Sequence, residues 1–414
     1  MIFTISAATT RQYCDKYIQI AHRTMMKITK LPIISVSAFL SSVAIGIAQL
    51  GLIFLMKLYF KASAGTIGIF GAAWSISYFI SCIVFRRFTS KILPRFSLLI
   101  TLFGTALVFF IFLLIPNIPT AFITYILFGV LTAFYWPPLM SWLSKDYNHT
   151  ELAKANGIFN FSWSLGGVLS SYIAGVLSKS GRFYPVEAAA ILFALNGIFI
   201  VTSFFFVKDS NVTQIKTETT KFSLDQKQNP NRIPAWISNM FTYLVIGIIF
   251  NIFPVFANDI LHFSEPQVGL ILSFRALATM IGFIVLGQWH FWHFKSWVMP
   301  FSALCITISL ISLSLLNHSL TFIGYTIFFI IIGLSMAATY TTSLFYSTVN
   351  SNNKDTMVTI HESLLTFGQV IGSSAGGIIY MHTSFSMMLQ LLGILFIIMI
   401  ALQFVYFKKI AHSR

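Results

Sequence analysis

Acidic residues are scarce in this sequence: Asp and Glu together number 11 among 414 residues, and all charged residues make up 9%. A soluble domain of this length carries far more charge. Hydrophobic residues reach 57% and the mean hydropathy is +0.82, so a water-soluble globule would have no interior large enough to hold them. The composition therefore excludes a soluble fold and predicts a protein that lies mostly in lipid.

Cysteine is also nearly absent. Cys14, Cys82 and Cys305 are widely separated, which excludes a disulfide framework and a CxxC metal site. No metal and no cofactor are expected, because "HESLL" lacks the second His of a zinc protease motif and no GxxxxGK[ST] phosphate loop occurs. The net charge of +15 lies in loops beside apolar segments, which is typical of membrane topology and not of nucleic-acid binding.

Twelve apolar segments are long enough to cross a bilayer. About 20 residues of helix cross the hydrocarbon core, and windows of roughly that length predict an all-α membrane protein with twelve transmembrane helices. The predicted spans 1 to 12 are 31–56, 66–85, 96–115, 121–143, 155–177, 187–207, 233–255, 268–289, 297–316, 321–346, 357–380 and 385–407.

A long polar segment divides the chain into two sets of six spans. The predicted order is an N-terminal tail, an N-terminal six-helix bundle, a linker, a C-terminal six-helix bundle and a C-terminal tail: 1–30, 31–207, 208–232, 233–407 and 408–414. Glycines recur in both halves at nearly constant offsets, such as Gly46 with Gly247 and Gly129 with Gly333. This repetition indicates duplication of a six-helix unit, and so two pseudo-symmetric bundles.

Lysine and arginine are distributed unevenly between the two sides. Of 26 such residues, only Lys57, Lys61, Lys179 and Arg182 fall in loops of one side, and Arg275 lies inside span 8. Since basic loops stay in the cytoplasm, both termini are predicted to be cytoplasmic. We expect a monomeric, multi-pass protein embedded in the lipid bilayer of a bacterial or archaeal cytoplasmic (inner) membrane.

Twelve spans in two related halves, with a basic linker, resemble the major facilitator superfamily of transporters. The family pattern G-x-x-x-D-R-x-G-R-K/R between spans 2 and 3 is similar to "CIVFRRFTSK" (Cys82 to Lys91), where Arg87 and Lys91 match and Arg86 replaces the Asp. Spans 5 and 11 contain "GGVLSSYIAG" and "GQVIGSSAGG", which have the glycine spacing of an antiporter motif but no proline. Such spacing favours helix packing over a coupling role.

The resemblance implies a secondary transporter that moves a small organic solute by alternating access and is not an enzyme. Protons are one candidate for the coupling ion. A polytopic membrane enzyme and a non-transporting membrane sensor are the alternatives, although the outer loops are short and hold few acids. Among transporters, a drug or metabolite exporter and a solute or siderophore importer remain open.

Solute-binding residues in such a fold are polar or aromatic groups that face a central cavity near mid-membrane. The candidates are Gln49, Tyr135, Trp136, Asn160, Trp163, Asn251, Arg275 and Tyr340. Amides that join helices and aromatics that pack beside the proline bend of "YWPP" are the structural alternatives. A guanidinium inside a span costs about 2.5–3.5 kcal/mol, so Arg275 predicts either a carboxylate-bearing solute or a snorkelling or helix-pairing role.

The stretch "VTIHESLL" places a rare acid, Glu362, near the cytoplasmic start of span 11. One hypothesis is a gate, in which Arg86 or Arg87 pairs with Glu362 or Asp355 and replaces the link that the family makes through the Asp of its loop motif. The other hypothesis is that Glu362, with His361 beside it, is the proton-coupling group.

Overall fold

A computed structural model describes residues 7–89, 91–144, 149–207, 230–316, 319–349, 351 and 354–412. Span 1 is the helix Ala7–Phe54 continued by a π-helical turn, Leu55–Tyr59. Two spans are broken: span 4 into Ile118–Thr132 and Trp136–Ser144, and span 7 into Arg232–Asn251 and Phe253–Asp259. Spans 2, 3, 5, 6 and 8 to 12 are Ala64–Val84, Pro94–Leu114, His149–Ser180, Tyr184–Phe206, Glu265–Gln288, Val298–Leu315, Phe322–Thr348, Lys354–His382 and Phe385–His412.

The predicted all-α fold of twelve membrane helices is confirmed. Eleven helices of the described chain meet the length and hydropathy required to cross a membrane. The remaining one, span 5, is a 32-residue helix that carries Asn156, Asn160 and several serines. It packs mainly against spans 1 and 8, so much of its surface meets protein and not lipid, which accounts for its more polar sequence.

The spans meet alternately at two faces of the molecule. One face carries Lys30, at the start of the hydrophobic part of span 1, and Lys408, near the end of span 12. We call it the terminal face, and we call the opposite face the distal face. The helices at the distal face start with local caps. The Ser63 hydroxyl accepts a 3.1 Å hydrogen bond from the backbone amide of Thr66 at the start of span 2. Ser264 and Gln267 form a capping box at the start of span 8. These caps satisfy free helix ends, which permits short distal loops.

Each half has its own apolar core. Ile47, Phe128 and Phe193 belong to the N-terminal core, and Phe253 and Phe329 belong to the C-terminal core. The predicted tail 1–30 is partly helical, because the helix of span 1 begins at Ala7. Residues 208–229, most of the predicted linker, lie outside the described residues.

The two halves approach most closely through glycines near the distal face. A Cβ on Gly175 of span 5 would stand 2.3 Å from the carbonyl oxygen of Glu265, and one on Gly377 of span 11 would stand 2.6 Å from that of Ala64. The Ser373 hydroxyl also donates a 2.7 Å hydrogen bond to the Gly68 carbonyl. Spans 5 and 8, and spans 2 and 11, therefore pack backbone to backbone across the pseudo-symmetry axis.

Candidate solute-binding cavity

The halves separate toward the terminal face. At the distal end, the Tyr172 amide donates a 3.0 Å hydrogen bond to the Ser273 hydroxyl, joining spans 5 and 8. About four turns nearer the terminal face, on the same sides of these helices, Gly157 and Gly287 have nothing within 4 Å of an added Cβ. The sides of spans 5 and 8 that touch at the distal end are thus apart at the terminal end. The space between the two halves therefore opens to the terminal face.

Glu362 projects into this space. Its side chain is 51% exposed although it belongs to a membrane span. Tyr340 of span 10, Tyr78 of span 2 and Tyr243 of span 7 lie within electrostatic reach of its carboxylate. An acid here is tolerated because it faces a cavity that water can enter and not the lipid.

His361, next to Glu362, packs between spans 10 and 11. Its ring is fully buried, Nδ1 lies 2.7 Å from the Ser343 hydroxyl, and Nε2 has no hydrogen-bond partner and lies 3.6 Å from a carboxylate oxygen of Glu362. The Tyr340 ring meets the imidazole edge-on at 5.0 Å. Ser343 is also fully buried, so this Ser-His-Glu grouping offers no nucleophile to a substrate.

Arg275 lies near mid-membrane, ten residues after Glu265 begins span 8, or about 15 Å along the helix. It is 4% exposed, its Cζ is 4.8 Å from the centre of the Phe250 ring, and Nη1 is 3.3 Å from the Met336 sulfur. Its Nε has no partner, and no carboxylate of the described residues forms an ion pair with it. Since a thioether is a weak acceptor, the guanidinium remains poorly compensated.

The aromatic candidates of span 4 lie inside the N-terminal half. Tyr135 is 1% exposed, and its hydroxyl is 2.8 Å from both the hydroxyl and the carbonyl oxygen of Ser37. Trp136 packs edge-on against the rings of Tyr135 and Phe159. In this conformation Tyr135 does not line the cavity, because a buried phenol needs a hydrogen-bond partner and Ser37 supplies it.

The remaining candidates divide between cavity and interface. Asn160 is exposed and accepts a 3.1 Å hydrogen bond from Nε1 of Trp163, so this pair forms a polar, aromatic patch on span 5. Gln49 is partly exposed. Asn251 is 5% exposed, donates to the Gly247 carbonyl and lies against Gly71 of the other half, so it packs between the halves.

Neither arginine of the gate hypothesis contacts Glu362 in this open conformation. Arg86 and Arg87 are exposed in the short helix Arg86–Thr89 at the terminal face, and neither forms an ion pair with Glu362. The side chain of Asp355 lies outside the described residues. Pairing of either arginine with Glu362 would require closure of the terminal face, so this form of the gate stays a prediction for the opposite conformation.

An ion pair that the sequence analysis missed joins the halves at the distal face. The ammonium of Lys57, at the end of span 1, bonds to the carboxylate of Asp259, at the end of span 7. These two positions are 202 residues apart, which lies between the offsets of the glycine pairs Gly46 with Gly247 and Gly129 with Gly333, 201 and 204 residues. The sequence could have indicated this ion pair, because it places opposite charges at equivalent positions of the duplicated spans 1 and 7. Tyr78 and Tyr243 were also missed, since sequence does not show which way a tyrosine faces.

The comparisons with known proteins agree with this architecture. The chain is 23% identical over 265 residues to an uncharacterized MFS-type transporter of Methanocaldococcus jannaschii, and 21% identical over 251 residues to Multidrug resistance protein 2 of Bacillus subtilis (strain 168). These alignments cover 60% and 58% of this chain, and only 65% and 63% of the relatives.

Solved structures show the same fold at low identity. The nucleoside transporter NupG superposes with a TM-score of 0.72 at 12% identity, covering 92% of this chain and 99% of that one. A bacterial homologue of the human lysosomal transporter Spinster, in an inward-facing and unoccupied conformation, gives 0.66 at 13% identity, covering 93% and 96%. The profile of the Major Facilitator Superfamily matches residues 34–360 and 235–414, and the chain therefore belongs to that superfamily.

Proposed function

We propose that this membrane transporter moves a small organic solute by alternating access and is driven by protons that bind at Glu362. The observation that carries the proposal is the half-exposed carboxylate of Glu362, which lies in a cavity walled by tyrosines of spans 2, 7 and 10. If the termini are cytoplasmic, as the distribution of basic residues predicts, the cavity of this conformation opens to the cytoplasm.

The energetics of closure support a coupling role for Glu362. When the terminal face closes, the carboxylate loses water, and removing a charge from water costs several kcal/mol unless it is neutralised. The titratable groups that face it are Tyr78 and Cys82 of span 2, Tyr243, Tyr340 and the adjacent His361. No Lys or Arg of the described residues pairs with it. A bound proton would therefore favour the closed terminal face, which links proton binding to the conformational change.

The proposed function is tested in proteoliposomes. A thermal-shift screen of the purified protein against metabolites, drugs and iron chelators first identifies solutes that bind. Flux is then measured with and without a pH gradient in the wild type and in Glu362→Gln, with Glu265→Gln at the distal loop as the matched control. We expect Glu362→Gln to lose gradient-driven accumulation but to keep exchange at equal pH and saturating solute, because the group that binds the coupling proton is removed while the transport pathway is kept.

Accumulation driven by the pH gradient in Glu362→Gln at the wild-type level would overturn the coupling role. Loss of both accumulation and exchange in the Glu265→Gln control would also contradict it, since the effect would then not be specific to the cavity. Labelling of single cysteines at the two termini from each side of the membrane tests the cytoplasmic orientation separately.

A further inference from the structure

Two opposite charges lie in the membrane-spanning part of the C-terminal half without pairing with each other. Arg275 of span 8 is buried near mid-membrane and has no carboxylate partner among the described residues. Glu362 of span 11 is exposed in the cavity nearer the terminal face, with tyrosines and His361 as its polar neighbours. Tyr243 of span 7 is within electrostatic reach of both groups.

The register of spans 7 and 10 gives the separation of the two charges. Trp236 of span 7 donates a 2.7 Å hydrogen bond to the Ser347 hydroxyl of span 10. Seven residues further from the terminal face on both helices, the rings of Tyr243 and Tyr340 lie 6.4 Å apart. Phe250, on which the Arg275 guanidinium stacks, is seven residues beyond Tyr243, or roughly 10 Å along the helix. The carboxylate beside Tyr340 and the guanidinium beside Phe250 are therefore separated by about 10 Å along the membrane normal.

We infer that the solute is a zwitterion whose ammonium and carboxylate groups are about 10 Å apart. The inference rests on the proposed function, because it assigns the occupant of the same cavity. Arg275 receives the carboxylate, since a guanidinium offers a planar fork of donors that matches a carboxylate. The bound anion supplies the countercharge that the described residues do not.

Glu362 receives the ammonium group. Besides the carboxylate, the site presents the rings of Tyr78 and Tyr340, and Tyr78 is stacked on Trp74 at 5.5 Å. Aromatic faces beside an acid favour an organic cation. Between the two charged ends lies the apolar side chain of Met336, which is one turn from Tyr340 on span 10 and has its sulfur 3.3 Å from Nη1 of Arg275. The connecting part of the solute is therefore apolar.

The ammonium group and the proton compete for one carboxylate, so each excludes the other from Glu362. Solute and proton then occupy the cavity in turn and cross the membrane in opposite directions.

Unbranched ω-amino acids provide a molecular ruler for the test. Calorimetric binding to the wild-type protein is measured for chains of four to twelve carbons, together with the methyl ester and the N-acetyl derivative of each. We expect the tightest binding near eight carbons, an extended length of roughly 10 Å. Loss of either charge should weaken binding by about tenfold or more, as expected for a charge-assisted contact.

Two variants assign the ends of the solute. Arg275→Gln should bind the acid and its methyl ester equally, and Glu362→Gln should bind the amine and its N-acetyl derivative equally. Arg275→Lys is a second variant in case the glutamine protein does not fold, and it should retain a preference for the acid. Equal binding of acids, esters and N-acetyl compounds by the wild type would overturn the inference, as would no dependence on chain length.

The test separates this inference from the proposed function. If no ω-amino acid binds while another solute shows proton-driven flux that requires Glu362, the zwitterion inference fails and the proposed function stands. If length-dependent binding is found but Glu362→Gln keeps gradient-driven accumulation, the coupling role fails and the zwitterion site stands.

Discussion

Three arginines are buried in the spans among the side chains that the structure describes, and their partners separate structural from functional roles. Arg95 donates from Nη1 to the Ser203 carbonyl at 3.0 Å and stacks on Phe204 at 4.1 Å. Arg232 donates from Nε to the Tyr346 carbonyl at 2.9 Å and from Nη2 to the Val349 carbonyl at 3.4 Å. Both place a cation at the C-terminal end of a neighbouring helix, where free carbonyls and the helix dipole favour positive charge. Arg275 has no such carbonyl partner, which is why it is assigned to the solute.

The first prediction concerns the structural role of Arg232. Arg232→Lys keeps the charge but cannot make both carbonyl contacts from one planar group. We expect a loss of about 1–3 kcal/mol in the free energy of unfolding, the cost of a lost hydrogen bond to a charged group, seen as a lower thermal midpoint in detergent. The control Arg86→Lys, at an exposed position, should leave the midpoint unchanged. Equal midpoints for both variants would contradict the role of Arg232.

The second prediction concerns His293, in the loop between spans 8 and 9. Partial burial, together with His290 at a ring distance of 4.8 Å, lowers the pKa of His293. The unfolded chain, with a His pKa of about 6.5, therefore binds the proton first as pH falls. Stability then decreases as pH falls through about 6.5.

Replacement of His293 by Phe should reduce this pH dependence. The aromatic ring keeps the stacking on Phe345, which His293 makes at 4.3 Å, but it cannot titrate. Thermal midpoints at about pH 7.5 and 5.5, on either side of the ordinary His pKa, should therefore differ less in His293→Phe than in the wild type. The control His382→Phe, at the distal end of span 11, should keep the wild-type difference, and equal behaviour of both variants would argue against the assignment.

At the scale of the helices, glycine determines how closely spans 7 and 11 pack. A Cβ on Gly372 would stand 1.9 Å from the Leu244 carbonyl oxygen, and one on Gly247 would stand 2.3 Å from that of Gln369. Backbone atoms cannot move aside as a flexible side chain can. Substitution must therefore push the two helices apart.

The third prediction follows from this contact. Gly372→Ala should destabilise the protein by about 1–3 kcal/mol, as overpacking does. Gly287→Ala is the matched control, since nothing lies within 4 Å of its added Cβ, and it should be neutral or slightly stabilising because alanine favours helix. Thermal unfolding of the two variants in the same detergent checks the difference. A destabilisation of similar size in both would show that helix propensity and not packing is being measured.

The spans could be predicted from the sequence because hydrocarbon thickness fixes the length of each apolar run. Span 8, for example, was expected at 268–289 and is the helix Glu265–Gln288. The bend of span 4 was also expected from its prolines, whereas the break of span 7 before Phe253 was not, although Pro254 follows it. A proline reports a possible break, but tertiary contacts decide whether the helix bends there.

The candidate site could be predicted only in part. Glu362 and Arg275 stand out because charge is costly in a membrane and therefore rare. The tyrosines do not, since the chain has 15 of them and both cores and cavities use aromatic rings. Tyr135 and Tyr340 are similar in sequence context, yet the former bonds to Ser37 inside one half and the latter lies within electrostatic reach of Glu362 in the cavity. Only the packing of the helices distinguishes them.

At the scale of the whole molecule, the conformation has one closed end and one open end. The closed distal end is held by backbone packing at Gly175 and Gly377, by the hydrogen bond from Ser373 and by the ion pair of Lys57 with Asp259. Alternating access requires these contacts to break while new ones form at the terminal face. The contacts differ in cost, because the ion pair is partly exposed and the glycine contacts are buried.

The last prediction is that the ion pair biases the molecule toward this conformation. An exposed pair contributes about 0.2–1 kcal/mol, so Asp259→Asn should raise the population open at the distal face by about 1.4- to 5-fold. Ala174→Cys is a suitable reporter, because Ala174 is fully buried at the junction of the halves. Its reaction rate with a membrane-impermeant maleimide is measured after Cys14, Cys82 and Cys305 have been replaced by serine.

The controls for this prediction use the charges themselves. Lys57→Gln should raise the labelling rate as Asp259→Asn does, and the double exchange Lys57→Asp with Asp259→Lys should restore the original rate, because the pair is re-formed with reversed polarity. Lys179→Gln, at an exposed position of the same face, should have no effect. A rate that stays raised in the double exchange would mean that these residues act separately, and the distal closure would then depend on helix packing alone.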